Sequence, residues 1–271
     1  MITRFAPSPT GFLHLGHARA AYEVFQFAKQ QRGRCLLRIE DIDHTRCKAV
    51  YTDAIFEDLT WLGLSWPLPV RVQSDHIKDY KAVLDQLRSK GLIYACTKSR
   101  RDIQAEIEAR NIAVYKRANT DRISPSETDN VVAWRLSLEA CRDYLGASYY
   151  NLEYQEIDSA GQAATKSVDP DIYGDVILGR KDIGVSYHLA VTHDDALQNI
   201  SHIVRGDDFV LQTGLHVLLQ KIMGWPHPIY KHHPLILRED GVKLAKRNRD
   251  PSIRAKRDQG WSVDDIMKAV L

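Results

Sequence analysis

No stretch of this sequence approaches the roughly 18 consecutive apolar residues that a membrane-spanning helix needs. The opening Met1-Ile-Thr-Arg-Phe-Ala-Pro7 also lacks the apolar run of a secretory signal. No membrane association is expected on that reading, and the cytoplasm is the expected compartment. Cysteine is scarce: Cys35, Cys47, Cys96 and Cys141 stand singly, with no CxxC or CxC pair. Separate reduced thiols are implied, and neither a disulfide framework nor a complete cysteine-based metal site is written here. An excess of one charge is missing too. The 37 Lys and Arg against 35 Asp and Glu leave +2 over 271 residues, too little for a chain that grips nucleic acid along its whole surface, although a local basic patch is compatible with it. There is no internal repeat and no low-complexity tract. What is present is 44% hydrophobic and 27% charged residues, the composition of a globular protein with a sizeable core in one large domain or two.

Ile2 to Phe5 reads as a short strand stopped by Pro7 and Pro9, and after Gly11 the residues Ala18, Ala21, Tyr22, Phe25 and Ala28 recur at helical spacing. A second strand, Cys35 to Ile39, ends in the acidic cluster Glu40, Asp41 and Asp43, and Ala54, Leu59 and Leu62 mark a helix after it. This alternation predicts an α/β fold on a parallel nucleotide-binding sheet. From Ser74 a helix carries Ile77, Tyr80, Leu84 and Leu87 on one face, with Asp75 near its start and Gly91 past its end. Residues 92–184 mix strands (Leu92 to Cys96, Val131 to Leu138), a charged helix from Arg101 to Arg110 and polar loops including Asn119 to Asn130, so an inserted mixed α/β subdomain is expected. Strong patterning returns with Val185 to Thr192, Ile200 to Val204, a helix from Leu211 to Met223, and Tyr230 to Leu237. The expected division is a discontinuous Rossmann-like catalytic domain, 1–91 with 185–250, split by 92–184 and followed by a short helical tail, 251–271. Asp240-Gly241 suggests a tight turn before Val242-Lys243-Leu244. In the tail, Ser262 with Asp265 is an acidic capping box over Val263, Ile266, Met267 and Val270.

Chemistry concentrates at two places. His14-Leu15-Gly16-His17 lies between the first strand and the first helix, where two imidazoles and exposed helix N–H groups would meet an anion such as ATP phosphate. Alone, such a tetrapeptide is more often a pair of polar helix caps. Far downstream, Lys243-Leu244-Ala245-Lys246-Arg247 forms a basic loop able to neutralise charge on a triphosphate.

In that order and spacing the two elements resemble the HIGH and KMSKS motifs of class I aminoacyl-tRNA synthetases. Four further stretches are similar to the glutamyl-tRNA synthetase catalytic core: Arg4-Phe-Ala-Pro-Ser-Pro-Thr-Gly11, Arg38-Ile-Glu-Asp-Ile-Asp43, Tyr187-His-Leu-Ala190 and Ile203-Val-Arg-Gly-Asp-Asp208. The resemblance covers nearly the whole chain and implies a class I synthetase-type Rossmann-like sheet split by an insertion. It also implies that Arg4 and Arg205 recognise carboxylate, Glu40 holds the substrate ammonium, and Ala6, Ser8 and Tyr187 orient L-glutamate. Pro7, His14, Gly16, His17, Lys243 and Lys246 would meet ATP, which brings Mg2+; of these, His14, His17, Lys243 and Lys246 would be catalytic. Taken singly, Glu40 and Asp41 read as a solvated strand end, and Arg205 as an internal ion pair with Asp207 or Asp208. A glutamate substrate needs anionic and cationic contacts held apart on a rigid frame, which the set supplies together.

Two departures narrow the resemblance. Related proteins often carry zinc in the insertion on a CxC pair, a Tyr and a further Cys. Here Cys96-Thr97-Lys98 replaces the pair, and Tyr115 to Asn119 lacks the last thiol. Only Cys96 and Tyr115 remain, so no structural zinc is expected. His232 and His233, adjacent in a strand, point to opposite faces and are not expected to bind metal. Second, 24 residues follow Arg247, where full-length glutamyl-tRNA synthetases continue into an anticodon-binding region. That domain is expected to be absent, as in the truncated paralogue family, the glutamyl-Q tRNA(Asp) synthetases. The resemblance then implies tRNA(Asp) carrying queuosine as acceptor, with basic residues such as Arg100, Arg101 and Lys116 near its phosphates; a monomer is expected, although the oligomeric state is not readable from the residues. A minimal synthetase charging the 3′ end of tRNA(Glu) and a non-catalytic glutamate- or tRNA-binding paralogue remain the alternatives.

Overall fold

A computed structural model describes residues 1–117, 132–235 and 251–271. The chain opens with β1 (Ile2–Phe5), α1 (Leu15–Gln30), β2 (Arg34–Ile39), α2 (Ala49–Trp61) and β3 (Arg71–Val72). The three strands are parallel, in the order β1-β2-β3. α1 buries Ala18, Ala21, Val24, Phe27 and Ala28, one stripe of a 3.6-residue period laid against the sheet. Its exit is tight: a Cβ on Gly33 would stand 2.6 Å from the Met1 carbonyl oxygen, so only glycine lets β2 start beside β1. A 3₁₀ turn at Gln73–His76 leads into α3 (Ile77–Ser89). The turn's Ser74 N–H and hydroxyl donate to Asp41 at 2.8 and 2.7 Å.

β4 (Ile93–Cys96), α4 (Arg100–Arg110), β5 (Ala133–Leu136) and α5 (Leu138–Leu145) come next. The hairpin β6 (Glu153–Ile157) and β7 (Ala163–Ser167) follows, and then β8 (Ile177–Gly179). The chain continues through α6 (Tyr187–Leu197), β9 (His202–Gly206), α7 (Val210–Met223) and β10 (Ile229–His233). It closes with α8 (Ile253–Asp258) and α9 (Val263–Val270). β4, β5 and β8 form an antiparallel sheet of their own, whereas β6 and β7 belong to a second sheet, β7-β6-β10-β9. The span 92–184, read from sequence as one inserted unit, is therefore divided. Its 153–167 hairpin extends the sheet of β9 and β10 by parallel pairing of β6 with β10. Val185 to Thr192, where strong patterning returns, is mostly the start of α6, because Ser186 caps it through Leu189 N–H.

The two parallel halves meet at β1 and β9. Ser201 N–H donates to the Ile2 carbonyl at 2.9 Å, and Ile2 N–H to the Ser201 hydroxyl at 2.9 Å. β1-β2-β3 and β9-β10 are each parallel and adjoin at β1 and β9 as two sheets, an arrangement like the switch point where doubly wound sheets open a crevice at the strands' carboxyl ends. The tail docks on this half. Ile253 donates to the Leu13 carbonyl at 2.7 Å, and Ile253, Ile266 and Val270 are buried in the core cluster that contains α1. The Ser262–Asp265 capping box is formed.

Candidate functional site

The crevice at the switch point is a cavity of about 610 Å³. Arg4, Ala6, Pro7 and Ser8 enter it from β1 and the following loop, His17 from α1, Glu40 from the end of β2, Tyr187 from the start of α6, and Arg205 from β9. Eight residues picked out by sequence thus converge, from five elements. His14 and Gly16 stand beside the cavity at the α1 N-terminus. Lys243 and Lys246, with the Asp240-Gly241 turn, lie outside the described residues.

The histidine motif does cap its helix. Gly16 N–H donates to His14 Nδ1 at 3.1 Å and His14 N–H to His17 Nδ1 at 3.1 Å, a reciprocal box with the two rings 3.8 Å apart. Capping and anion binding are compatible. A neutral imidazole accepting at Nδ1 carries its proton on Nε2, so the cap fixes both rings as Nε2–H donors at a helix N-terminus that favours negative charge.

The acidic and basic residues form a buried ladder. Asp195, on α6, accepts from Arg4 Nε at 2.9 Å and from Arg38 Nη2 at 2.6 Å. Burial works against ionising Asp195, but the two guanidiniums outweigh it and hold the carboxyl below its ordinary range. Its neighbour Asp194 receives Arg71 at 2.8 Å, Gln73 at 2.9 Å and the Tyr80 hydroxyl at 2.9 Å. These two aspartates, together with Arg38, clamp the ends of β1, β2 and β3 to α6. No sequence motif named them; the adjacent Asp194-Asp195 pair within a mostly buried helix was the available signal.

Glu40 is not a solvated strand end. Its side chain is 10% exposed and 3.9 Å from Arg38, and its Oε1 is buried with no hydrogen-bond partner. Burial pushes its carboxyl up to about 7 against the pull of Arg38 and Arg4. Burial likewise pushes the Tyr187 phenol up to about 12, with Glu40 adding to it. Arg205 is not paired with Asp207 or Asp208. It is 7% exposed, donates from Nη2 to Thr213 Oγ1 at 2.5 Å and from Nη1 to His216 Nδ1 at 3.3 Å, and stacks on Phe209 and Tyr230. Among the described residues no carboxylate meets it. Thr213 in turn contacts His232 Nε2 at 2.9 Å, and His232 Nδ1 contacts Glu156 at 2.5 Å. His232, read from sequence as a bland strand residue, thus supports the site from behind, while His233 points elsewhere to the Pro234 carbonyl.

In the β4 sheet the zinc donor pattern is filled differently. Lys98 Nζ pairs with Glu106 at 2.5 Å and lies 5.6 Å above the Tyr115 ring, while Cys96 packs with Ile103 and Tyr115 in a small apolar cluster. An ammonium beside Tyr115 does not fit a cation ligand set. Of the basic residues expected near phosphate, Arg100 and Arg101 are exposed at the start of α4, and Lys116 is engaged by Asp171 at 2.9 Å.

A doubly wound sheet, a histidine-capped first helix at its switch point and a cavity with opposed carboxyl and guanidinium groups define a class I aminoacyl-tRNA synthetase catalytic domain. The family model for tRNA synthetases class I (E and Q), catalytic domain, matches residues 1–145 and 146–270, and the chain belongs to that family, as a ligase. Over 284 residues it is 39% identical to the glutamyl-Q tRNA(Asp) synthetase of Rhodobacter capsulatus, covering all of this chain and 99% of that one. It is 35% identical to glutamate–tRNA ligase 1 of Hyphomonas neptunium, covering 58% of its length. The crystal structure of a glutamate tRNA ligase from Elizabethkingia meningosepticum in complex with its amino acid superposes with a TM-score of 0.71 at 28% identity. That match covers 92% of this chain and 52% of that one.

Proposed function

We propose that the chain activates L-glutamate with ATP and transfers it to queuosine in the anticodon of tRNA(Asp). The observation that carries the amino-acid half is Arg205: a buried guanidinium held by neutral acceptors, with no carboxylate of its own among the described residues. Burying such a charge is costly unless a ligand anion completes it. Glu40, with a buried unpartnered oxygen in the same cavity, is the matching site for an ammonium. Arg4, already shared with Asp195, is left with less charge to offer and orients a carboxylate alongside Ser8, Ala6 and Tyr187.

In the first step a carboxylate oxygen of glutamate attacks the α-phosphorus of ATP, and the bond to pyrophosphate breaks. His14 and His17 would hold the triphosphate through Nε2–H and the α1 N-terminus, and Lys243 and Lys246 would offset charge growing on the phosphate oxygens. Pro7 and Gly16 shape the wall along which ATP lies. Among the described residues no three His, Cys, Asp or Glu side chains gather into a cation site, so Mg2+ would arrive with the triphosphate. In the second step a queuosine hydroxyl attacks the activated carbonyl, forming the ester and releasing AMP. Support for this acceptor is the agreement over 99% of the length of a relative named for it.

Pyrophosphate exchange with labelled ATP and glutamate, without tRNA, tests the first step. Exchange is expected with glutamate alone; its absence points to a non-catalytic binding protein. Offering glutamate to queuosine-containing tRNA(Asp), queuosine-lacking tRNA(Asp) and tRNA(Glu) tests the second, with labelling of the first alone expected.

A further inference from the structure

The cavity wall contains a chain of groups whose proton positions follow from one fixed donor. A guanidinium only donates, so the contact of Arg205 Nη1 with His216 Nδ1 at 3.3 Å makes that ring nitrogen an acceptor. A neutral imidazole accepting at Nδ1 carries its proton on Nε2. His216 Nε2 lies 3.2 Å from His188 Nδ1, which accepts in turn, so the proton of His188 is confined to its own Nε2. Among the described residues, that contact is the only hydrogen bond of the His188 side chain, and His188 lines the cavity beside Arg205. Burial and the nearby Arg205 charge hold His188 down to about 4 and His216 well below its ordinary value, so both rings are neutral at physiological pH.

We propose that His188 is a specificity-determining residue, which with Arg205 presents N–H donors to the ligand's side-chain carboxylate, and that His216 is the positioning residue that fixes its tautomer. The inference rests on the reading that glutamate is the amino acid activated. A carboxylate accepts from both donors at once. A carboxamide satisfies one with its oxygen and turns an NH₂ toward the other, leaving a donor unpaired beside a buried guanidinium. Such mismatches discriminate far more strongly than a change in pocket size does.

Two measurements decide it. In long-range proton–nitrogen NMR of histidine-labelled, unsubstituted protein, both rings are expected as neutral Nε2–H tautomers at pH 7, assigned by loss of signal in His188→Leu and His216→Leu. An Nδ1–H tautomer, or a protonated His188 at that pH, overturns the proposal even where the variants fold poorly. In pyrophosphate exchange, His188→Leu is expected to lower the glutamate-to-glutamine ratio of kcat/KM by about tenfold or more, mainly through the KM for glutamate. His188→Gln, which keeps a donor near the Nε2 position, should recover part of it. An unchanged ratio in folded His188→Leu refutes the role of His188 and leaves glutamate activation standing. A wild-type protein that does not exchange with glutamate overturns that underlying reading, and this inference with it.

Discussion

If Glu40 holds the substrate ammonium, as proposed, it couples stability to substrate binding with opposite signs on the two. Its carboxyl moves from the ordinary 4.5 to about 7 on folding, so the folded state holds the proton more tightly than the unfolded chain does. That preference is fully present below about 4.5, is lost as pH rises toward 7, and leaves no further change above. The difference of 2.5 pH units corresponds to at most roughly 3–4 kcal/mol at 1.36 kcal/mol per unit. Glu40→Gln, which stays neutral, should therefore raise the Tm of the ligand-free protein at pH 8 by several degrees and change it little at pH 4.5. Binding has the reverse dependence, since a substrate ammonium needs the carboxylate. At pH 6 about a tenth of the free enzyme has Glu40 ionised and at pH 8 about nine tenths, so kcat/KM for glutamate in pyrophosphate exchange should rise roughly tenfold between them. Glu40→Gln should lose this rise along with most of its activity. A wild-type profile flat from pH 6 to 8, or a Glu40→Gln variant no more stable at pH 8, would refute the assignment of a buried, ligand-awaiting carboxylate.

Three further outcomes are expected. Asp195→Asn leaves Arg4 and Arg38 buried without their shared anion and should destabilise by ~3–5 kcal/mol in urea unfolding; a loss below about 1 kcal/mol would show the ladder is not structural. Lys246→Ala should slow adenylate formation by about two orders of magnitude or more, ~2.7–4 kcal/mol, with glutamate binding nearly intact. Unchanged single-turnover adenylation would remove Lys246 from the mechanism. Elemental analysis of the purified protein should find no stoichiometric zinc, because Lys98 sits with Tyr115 and Glu106; about one zinc per chain would contradict that reading.

Legibility in the sequence followed the range of the interactions involved. β1, α1, β2 and the α9 cap were readable because helical period, proline stops and a capping box are local signals written within a few residues. The hairpin 153–167 was not, because β7 is exposed along its whole length and β6 is placed by pairing with β10, more than seventy residues away. Candidate site residues were legible where they sit in contiguous motifs: Arg4, Ser8, His17, Glu40, Tyr187 and Arg205 all line one cavity. Their supports were hidden. Asp195 meets Arg4 across 191 residues and Glu156 meets His232 across 76, and no local pattern distinguishes such a carboxylate from a solvated one. For the same reason the ion-pair reading of Arg205 pointed to its sequence neighbours, whereas the fold supplies Thr213 and His216 from α7.

The most direct test of the account is where the glutamyl group ends up. Labelled glutamate, ATP and the protein are incubated with queuosine-containing tRNA(Asp), and the product is cut by nuclease into defined fragments. Label is expected on the anticodon-loop fragment, and none when the same tRNA lacks queuosine. In a parallel incubation with tRNA(Glu), label on its 3′-terminal adenosine would contradict this outcome and establish a minimal glutamyl-tRNA synthetase instead.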